Sequence, residues 1–427
     1  MMNFIIKKLN SARNMPPCFL IKHLTKIAKR RMRLYASKFH LVNLSDNSFL
    51  DALGNETIES FSIRELPRFF FNPRDNELTD TLMRDYRDSI EQIIIDADEI
   101  CSHNFNLLGS GKINLGKKID WHLDFKSGFR WNPRIYYLCT GDHVTLNDPS
   151  DVKIPWELSR CQHFVTLGKA YKLTNNEKYV EEFMSQIESW IDQNQTELGV
   201  NWACTMDVAI RAVNWIWGYY FFSVSSSLTE EFKQKLFKSL FQHGRHIIDN
   251  LEFGPTRGNH YLSDVLGLIY LGIFFKETKD GKEWLKKGHS ALKEEMEFQV
   301  CLDGVDFEGS ISYHRLVTEL FISATILCLI NDLTFPDWYL NRLERMIEFV
   351  MYYMKPDGTA PQIGDNDDGR LYVLGNYGNW NQLDHRYLLS IGAVLFKRHD
   401  FKKAAGEFHE ETFLLLGKKG LSIYNHL

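Results

Sequence analysis

The sequence predicts an all-α protein, an incomplete (α/α) toroid of antiparallel helix hairpins with a short β stub at its C-terminus. Three observations carry that expectation. First, from residue 155 onward apolar residues recur at helical spacing. Phe183, Ile187, Trp190 and Ile191 fall at i, i+4, i+7 and i+8, and Leu343, Met346, Ile347, Val350, Met351 and Met354 keep the same period. Second, hairpins open near Pro155, Cys204, Gly258 and Gly309, spaced 49, 54 and 51 residues apart. Identity between these units is negligible, so the repetition is architectural, as in α-solenoids and closed α/α toroids. Third, each unit carries its unusual polar residues in the first turns of its first helix: Arg160 and His163, Asp207 and Arg211, Asn259 and His260, then Tyr313, His314 and Arg315. Equivalent positions on equivalent helices share one rim. A closed array gathers the four clusters at one cleft, whereas a solenoid spreads them along a groove.

Taken in order, residues 1–45 form a basic arm. Residues 1–40 hold ten Lys/Arg and no acid, which reads as a solvated helix packed on the exterior of an acidic body. The apolar run Asn3–Ile6 is too short for a secretory leader, so a cytoplasmic location is expected, or a periplasmic or exported one if a signal of another kind is present. Residues 46–400 are assigned to the toroid, beginning with a helix over 78–102. The stretch 103–150 breaks helical periodicity with Gly109, Gly111, Gly116, Gly128 and Gly141 among Trp121, Trp131 and Tyr136. Long ordered loops are usually functional, and this one is expected to line the cleft, bringing His122 and Trp131 to the rim. After the helical array, Pro356-Asp357-Gly358 signals a turn, and a further helix is expected over 383–399. Residues 401–427 are read as the start of a truncated β-sandwich domain, because 413–417 and 420–424 alternate like one or two strands.

Composition excludes several classes. Hydrophobic residues make up 44% and charged residues 25% of the 427, which rules out a disordered or fibrous chain. Aromatics reach 14%, which suits a cleft where flat rings stack on sugars. A net charge of −5 is too near neutral to argue for nucleic acid. The most apolar run noted, 213–222, is about half the ~20 residues of a membrane span. Seven scattered cysteines never form CxxC, so neither a disulfide framework nor a metal site is expected, and no cofactor. The phosphate-binding, zincin and serine-hydrolase signatures GxxxxGK[ST], HExxH and GxSxG are absent.

The remaining candidates are Asn, His, Arg and Tyr side chains on one rim, beside the carboxylates of Asp303, Asp306 and Glu308. Such a set suits β-elimination from a uronic acid. The C5 proton is barely acidic until donors hold the adjacent carboxylate as charge spreads into it. A base then takes that proton and an acid protonates the C4 leaving oxygen. A Tyr can do both where cations lower its pKa from about 10, and His260, His314, Arg257 and Arg315 are candidates for that field. Arg160, Arg211, His122, Trp202 and Asp365 complete the expected substrate-binding set. The alternatives are a toroid glycoside hydrolase, with two carboxylates about 5–9.5 Å apart drawn from Asp303, Asp306, Glu308, Asp365 and Asp367, or a non-catalytic glycan-binding remnant.

Arg257-Gly258-Asn259-His260-Tyr261-Leu262, Asp303-Gly304 and Glu308-Gly309-Ser310-Ile311-Ser312-Tyr313-His314 together resemble the heparinase II/III-like polysaccharide lyases and their alginate-lyase relatives. Phe105–Gly111, Ile119–His122, Pro155–Arg160 and Gly364–Asp367 agree in the same order. The resemblance implies a toroid followed by a β-sandwich, an acidic polysaccharide substrate, carboxylate neutralisation by Asn259 and His260, and base/acid duty for Tyr313. It also implies a further catalytic His or Tyr from the sandwich, for which no position here matches, so impaired activity is expected.

Overall fold

Helix starts are fixed locally by side-chain caps. Thr229, Thr278 and Ser310 each accept a hydrogen bond from the backbone N–H three residues on, at Phe232, Gly281 and Tyr313. The structure, a computed structural model, describes residues 44–427 except 55–56, 58–60, 62–65, 141–143, 145–147, 368 and 379. The basic arm lies outside the described residues apart from Leu44 and Ser45. In chain order the helices open with α1 (Asp46–Ala52), α2 (Glu77–Asp85) and α3 (Arg87–Cys101). A small antiparallel pair follows, β1 (Asn104–Phe105) with β2 (Ile113–Asn114). The hairpins comprise α4 (Lys153–Ser159), α5 (Phe164–Thr174), α6 (Lys178–Gln193), α7 (Thr205–Phe222), α8 (Glu230–Asn250) and α9 (Asn259–Phe274). They continue through α10 (Lys279–Gln299), α11 (Ile311–Ile330) and α12 (Asp337–Tyr353). The array ends with α13 (Arg386–Phe396), α14 (His399–Ala405) and α15 (Glu410–His426).

Burial sorts these helices into two layers. Every residue of α7 is buried, as is nearly every residue of α9 and α11. With α5 they pack side by side as an inner ring. The outer helices are amphipathic. On α10 the buried residues Trp284, Gly288, Ala291, Leu292, Glu295 and Met296 form one stripe. By length and composition α11 could cross a membrane, but 83% of its most apolar window is buried inside the protein. It is a core helix of the ring.

The centre of the ring is filled by an extended segment whose backbone is satisfied from the inner helices. Leu371, Tyr372 and Leu374 are buried there. Asn214 donates to the Leu371 carbonyl at 3.0 Å, Gln162 to Arg370 at 2.5 Å, and Lys169 to both Leu374 and Gly375 at 2.7 Å. An extended chain buried among helices would otherwise leave carbonyls unpaired.

The toroid expected from the sequence is the observed fold, with local corrections. Residues 410–426 are not strands. They form α15, kinked at Gly417, whose φ of 58° departs from helical geometry. This helix packs on α13 and α2, so the last element of the chain returns to the first ones. The expected helix over 78–102 is divided at Tyr86, whose hydroxyl donates to the Phe408 carbonyl at 2.8 Å. The expected helix over 383–399 is interrupted at Lys397, which adopts a left-handed conformation. Six cysteines, at 101, 139, 161, 204, 301 and 328, are free thiols.

Candidate functional site

Helix α9 begins where Gly258 lets a carboxylate come close. A Cβ at position 258 would sit 2.5 Å from Glu308 Oε1. In that space Glu308 accepts the Asn259 backbone N–H at 2.7 Å and the Asn259 side-chain amide at 3.0 and 2.9 Å. One of the two amide hydrogens is thereby held and the amide orientation is set. The next residue, His260, is exposed, and its Nδ1 lies 2.8 Å from Glu252 Oε2. Glu252 is itself anchored by the Thr205 and Met206 N–H groups at the start of α7, at 2.9 and 3.2 Å. Partial burial pulls the imidazolium pKa down, but the hydrogen bond and charge of Glu252, with Asp207 beyond, outweigh it and raise the pKa above the ordinary value.

Tyr313 stands in the first turn of α11, where its backbone N–H is capped by Ser310. Its hydroxyl donates to Asp365 Oδ2 at 3.3 Å. Burial, then Asp367, Asp365 and, more weakly, Glu308 push the phenol pKa above its usual value. This corrects the expectation of a cation field: acids, not cations, surround the phenol. The two arginines proposed for that field are engaged elsewhere. Arg257 donates to Glu295 at 2.6 Å and stacks 3.7 Å from the Phe298 ring centroid. Arg315 is buried and donates to the Gly369 carbonyl.

The rim clusters form a circuit that closes on itself. Lys153, at the start of α4, lies 3.6 Å from Asp367. Arg160, just past the end of α4, donates to Asp207 of α7 and to Glu157, each at 2.7 Å. Asp207 and Arg160 are within electrostatic reach of His260, Asn259 binds Glu308, and Glu308 reaches Tyr313. Asp365 and Asp367 complete the ring back to Lys153. A superhelical solenoid could not close such a circuit.

Four residues expected to bind substrate are instead walled off. His122 is fully buried with neither ring nitrogen partnered among the described residues, and burial holds its pKa down to about 4. Arg211 is buried between Trp190 and Trp202, 4.1 and 5.5 Å from their centroids, and donates to His243. Trp202 is thus an interior partner of Arg211 and His243, not a sugar platform. His314 is buried, accepts the Asp306 N–H and contacts the Met346 carbonyl, with its pKa lowered to about 4 by burial. Trp131 likewise packs inside, against Val152 and Val200. In the described part of 103–150, Trp121, Trp131, Tyr136 and Tyr137 are buried in the core, whereas Phe129 is exposed. Asn259, His260, Tyr313, Arg160 and Asp365 do reach the rim. Sequence reasoning missed Glu252 and Lys153. Neither lies in the first turns of a hairpin's leading inner helix, the pattern used to find the others.

Residues 73–385 match the family model described as the heparinase II/III N-terminus. A heparin-sulfate lyase from Bacteroides stercoris is 30% identical over 257 residues, covering 55% of this chain and 38% of that protein. A heparin-sulfate lyase from Pedobacter heparinus is 25% identical over 306 residues, covering 69% of this chain and 42% of that one. The crystal structure of heparan sulfate lyase HepC from Pedobacter heparinus aligns with TM-score 0.52 at 21% identity, over 92% of this chain and 54% of that chain. The fold is shared, and the chain spans less than half the length of the two curated lyases.

Proposed function

The chain belongs to the heparinase II/III family, and from that premise we propose that it cleaves a uronate-containing glycan of the heparan sulfate class by β-elimination. The observation that carries the reading is the juxtaposition on one closed rim of a carboxylate-binding pair, Asn259 and His260, with a phenol already hydrogen-bonded to an acceptor. Asn259 offers its second amide hydrogen, and His260 a positive charge backed by Glu252, to the substrate carboxylate. Charge arriving there in the transition state meets donors that are already oriented. Starting from its ionised form, Tyr313 takes the C5 proton and passes it to the C4 oxygen as the C4–O bond breaks and the C4–C5 double bond forms. The net change is transfer of one proton from C5 to the leaving oxygen. Lys153, exposed at the start of α4, flanks this mouth as a cation for an anionic chain.

Incubation with heparan sulfate and other uronate polymers is expected to yield unsaturated uronate ends that absorb in the ultraviolet. Tyr313→Phe keeps the ring and its packing, so it should lose turnover and retain glycan binding in titration calorimetry. New reducing ends without ultraviolet absorbance would mean hydrolysis and overturn the reading. So would full activity in Tyr313→Phe.

A further inference from the structure

Beside the proposed carboxylate pair lies a group of donors that the elimination does not use together. Cys204, which precedes α7, is buried, with 8% of its surface exposed. Its Sγ lies 3.6 Å from Glu252 Oε1 and 3.9 Å from His260 Nδ1. Glu252 Oε2 is 2.8 Å from the same Nδ1, and one ligand atom from each of the three residues lies within 4.8 Å of the others. Three separate elements supply them: the start of α7, the loop after α8, and the first turn of α9. Their sequence spacing, 48 and 8 residues, matches no metal motif, so no local pattern announces them.

We propose that Cys204, Glu252 and His260 form a binding site for a thiophilic divalent cation of the zinc class. A thiolate, an imidazole and a carboxylate are a borderline-soft set that zinc favours over the all-oxygen sites of calcium and magnesium. Three protein ligands leave a fourth tetrahedral position for water. Zn–S near 2.3 Å and Zn–N and Zn–O near 2.0–2.1 Å put tetrahedral ligands about 3.3–3.6 Å apart. The Sγ–Nδ1 separation of 3.9 Å must close slightly and the Nδ1–Oε2 separation of 2.8 Å must open by about half an ångström, shifts within reach of side-chain rotation. The carboxylate is pre-set, because its Oε1 already accepts the Thr205 and Met206 N–H groups, the kind of outer support that orients metal ligands. On binding, the Cys204 thiol releases its proton and the metal replaces the proton held between Nδ1 and Oε2. His260 is then committed to the metal through Nδ1. The effect on turnover rests on the function proposed above, since it withdraws an imidazolium from the carboxylate pair. The site itself does not depend on that reading.

Cobalt(II), a spectroscopic stand-in for zinc, decides the matter without reference to activity. Titration of the chelator-treated chain should give a near-ultraviolet sulfur-to-cobalt charge-transfer band and visible tetrahedral bands, both erased by zinc and untouched by excess calcium. Cys204→Ser should abolish the charge-transfer band and weaken zinc binding by at least about tenfold, while Cys301→Ser, which alters an exposed thiol, leaves both unchanged. Absence of the band in the native chain, or its persistence in Cys204→Ser, overturns the proposal. Where lyase turnover is measurable, zinc should inhibit the native chain and not Cys204→Ser. A chain that binds cobalt as described but never yields unsaturated uronate loses the functional reading and keeps the metal site.

Discussion

Gly258 leaves the room that the Glu308 carboxylate occupies, and this close approach controls the orientation of Asn259. In Gly258→Ala the new methyl meets the movable end of Glu308, so the carboxylate should swing away and release the amide while the fold persists. Under the elimination proposed above, turnover should fall by about tenfold or more with little change in melting temperature. Asn259→Ala, which removes the donor outright, should cost roughly 10²–10³ in rate. Asp306 offers a test of a different kind. Burial first, and then the nearby charge of Glu308, raise its pKa from 3.8 to about 7, and its Oδ1 has no hydrogen-bond partner among the described residues. His314, the other titratable group in contact with this segment, is neutral in the same range. The folded state therefore binds this proton more tightly than the unfolded chain. The associated stability is present below about pH 4 and is lost as pH rises through about 7. Asp306→Asn should flatten that slope, raising the melting temperature more at about pH 8 than at about pH 5. Equal shifts at both pH values would mean that Asp306 titrates normally. At this scale Asn259, His260 and Tyr313 were legible because each sits in a first turn beside a helix start. The buried fates of His122, Arg211, Trp202 and His314 were not, because the same rim period holds for side chains aimed inward.

Helical period and caps specify the individual elements, and glycines set how near they come. Gly272 on α9 faces α10 so closely that an added Cβ would lie 2.5 Å from the Leu285 backbone nitrogen and 2.8 Å from its Cα. Backbone cannot swing aside as a carboxylate can. Gly272→Ala should therefore force α9 and α10 apart and cost about 1–3 kcal/mol, measured as a lowered urea midpoint. An unchanged midpoint would show that the hairpin yields without strain. The hairpin openings at Cys204, Gly258 and Gly309 were read from sequence to within a residue or two of α7, α9 and α11, because the inner helices announce themselves as long apolar runs. The break at Tyr86 and the helical state of 410–426 escaped, since each depends on a partner far along the chain. Tyr86 bonds Phe408, and α15 is stabilised by packing on α2 and α13.

At the scale of the whole molecule, one buried lysine ties several layers together. Lys169 on α5 is fully buried and holds Glu410 of α15 at 2.8 Å while donating to the Leu374 and Gly375 carbonyls of the central segment. Burial disfavours ionisation of Glu410 and raises its pKa, with Lys169 opposing the shift. Lys169→Met would leave a buried carboxyl and two carbonyls without their donor, a loss of about 3–5 kcal/mol. Chemical denaturation should register it as a large drop in midpoint. A loss below about 1 kcal/mol would mean that apolar packing alone joins α15 to the ring.

The sequence by itself determined the helical hairpins, their repeat, the shared rim and the family resemblance. Each of these rests on short-range order: a period of 3.6 residues, a cap three residues away, a motif a few residues long. The tertiary structure alone decided the electrostatics of the site. Tyr313 meets Asp365 across 52 residues of chain, and Asn259 meets Glu308 across 49. Charges act through space, so the acidic surroundings of the phenol and the carboxylate that holds Asn259 came into being only when the ring brought distant segments together.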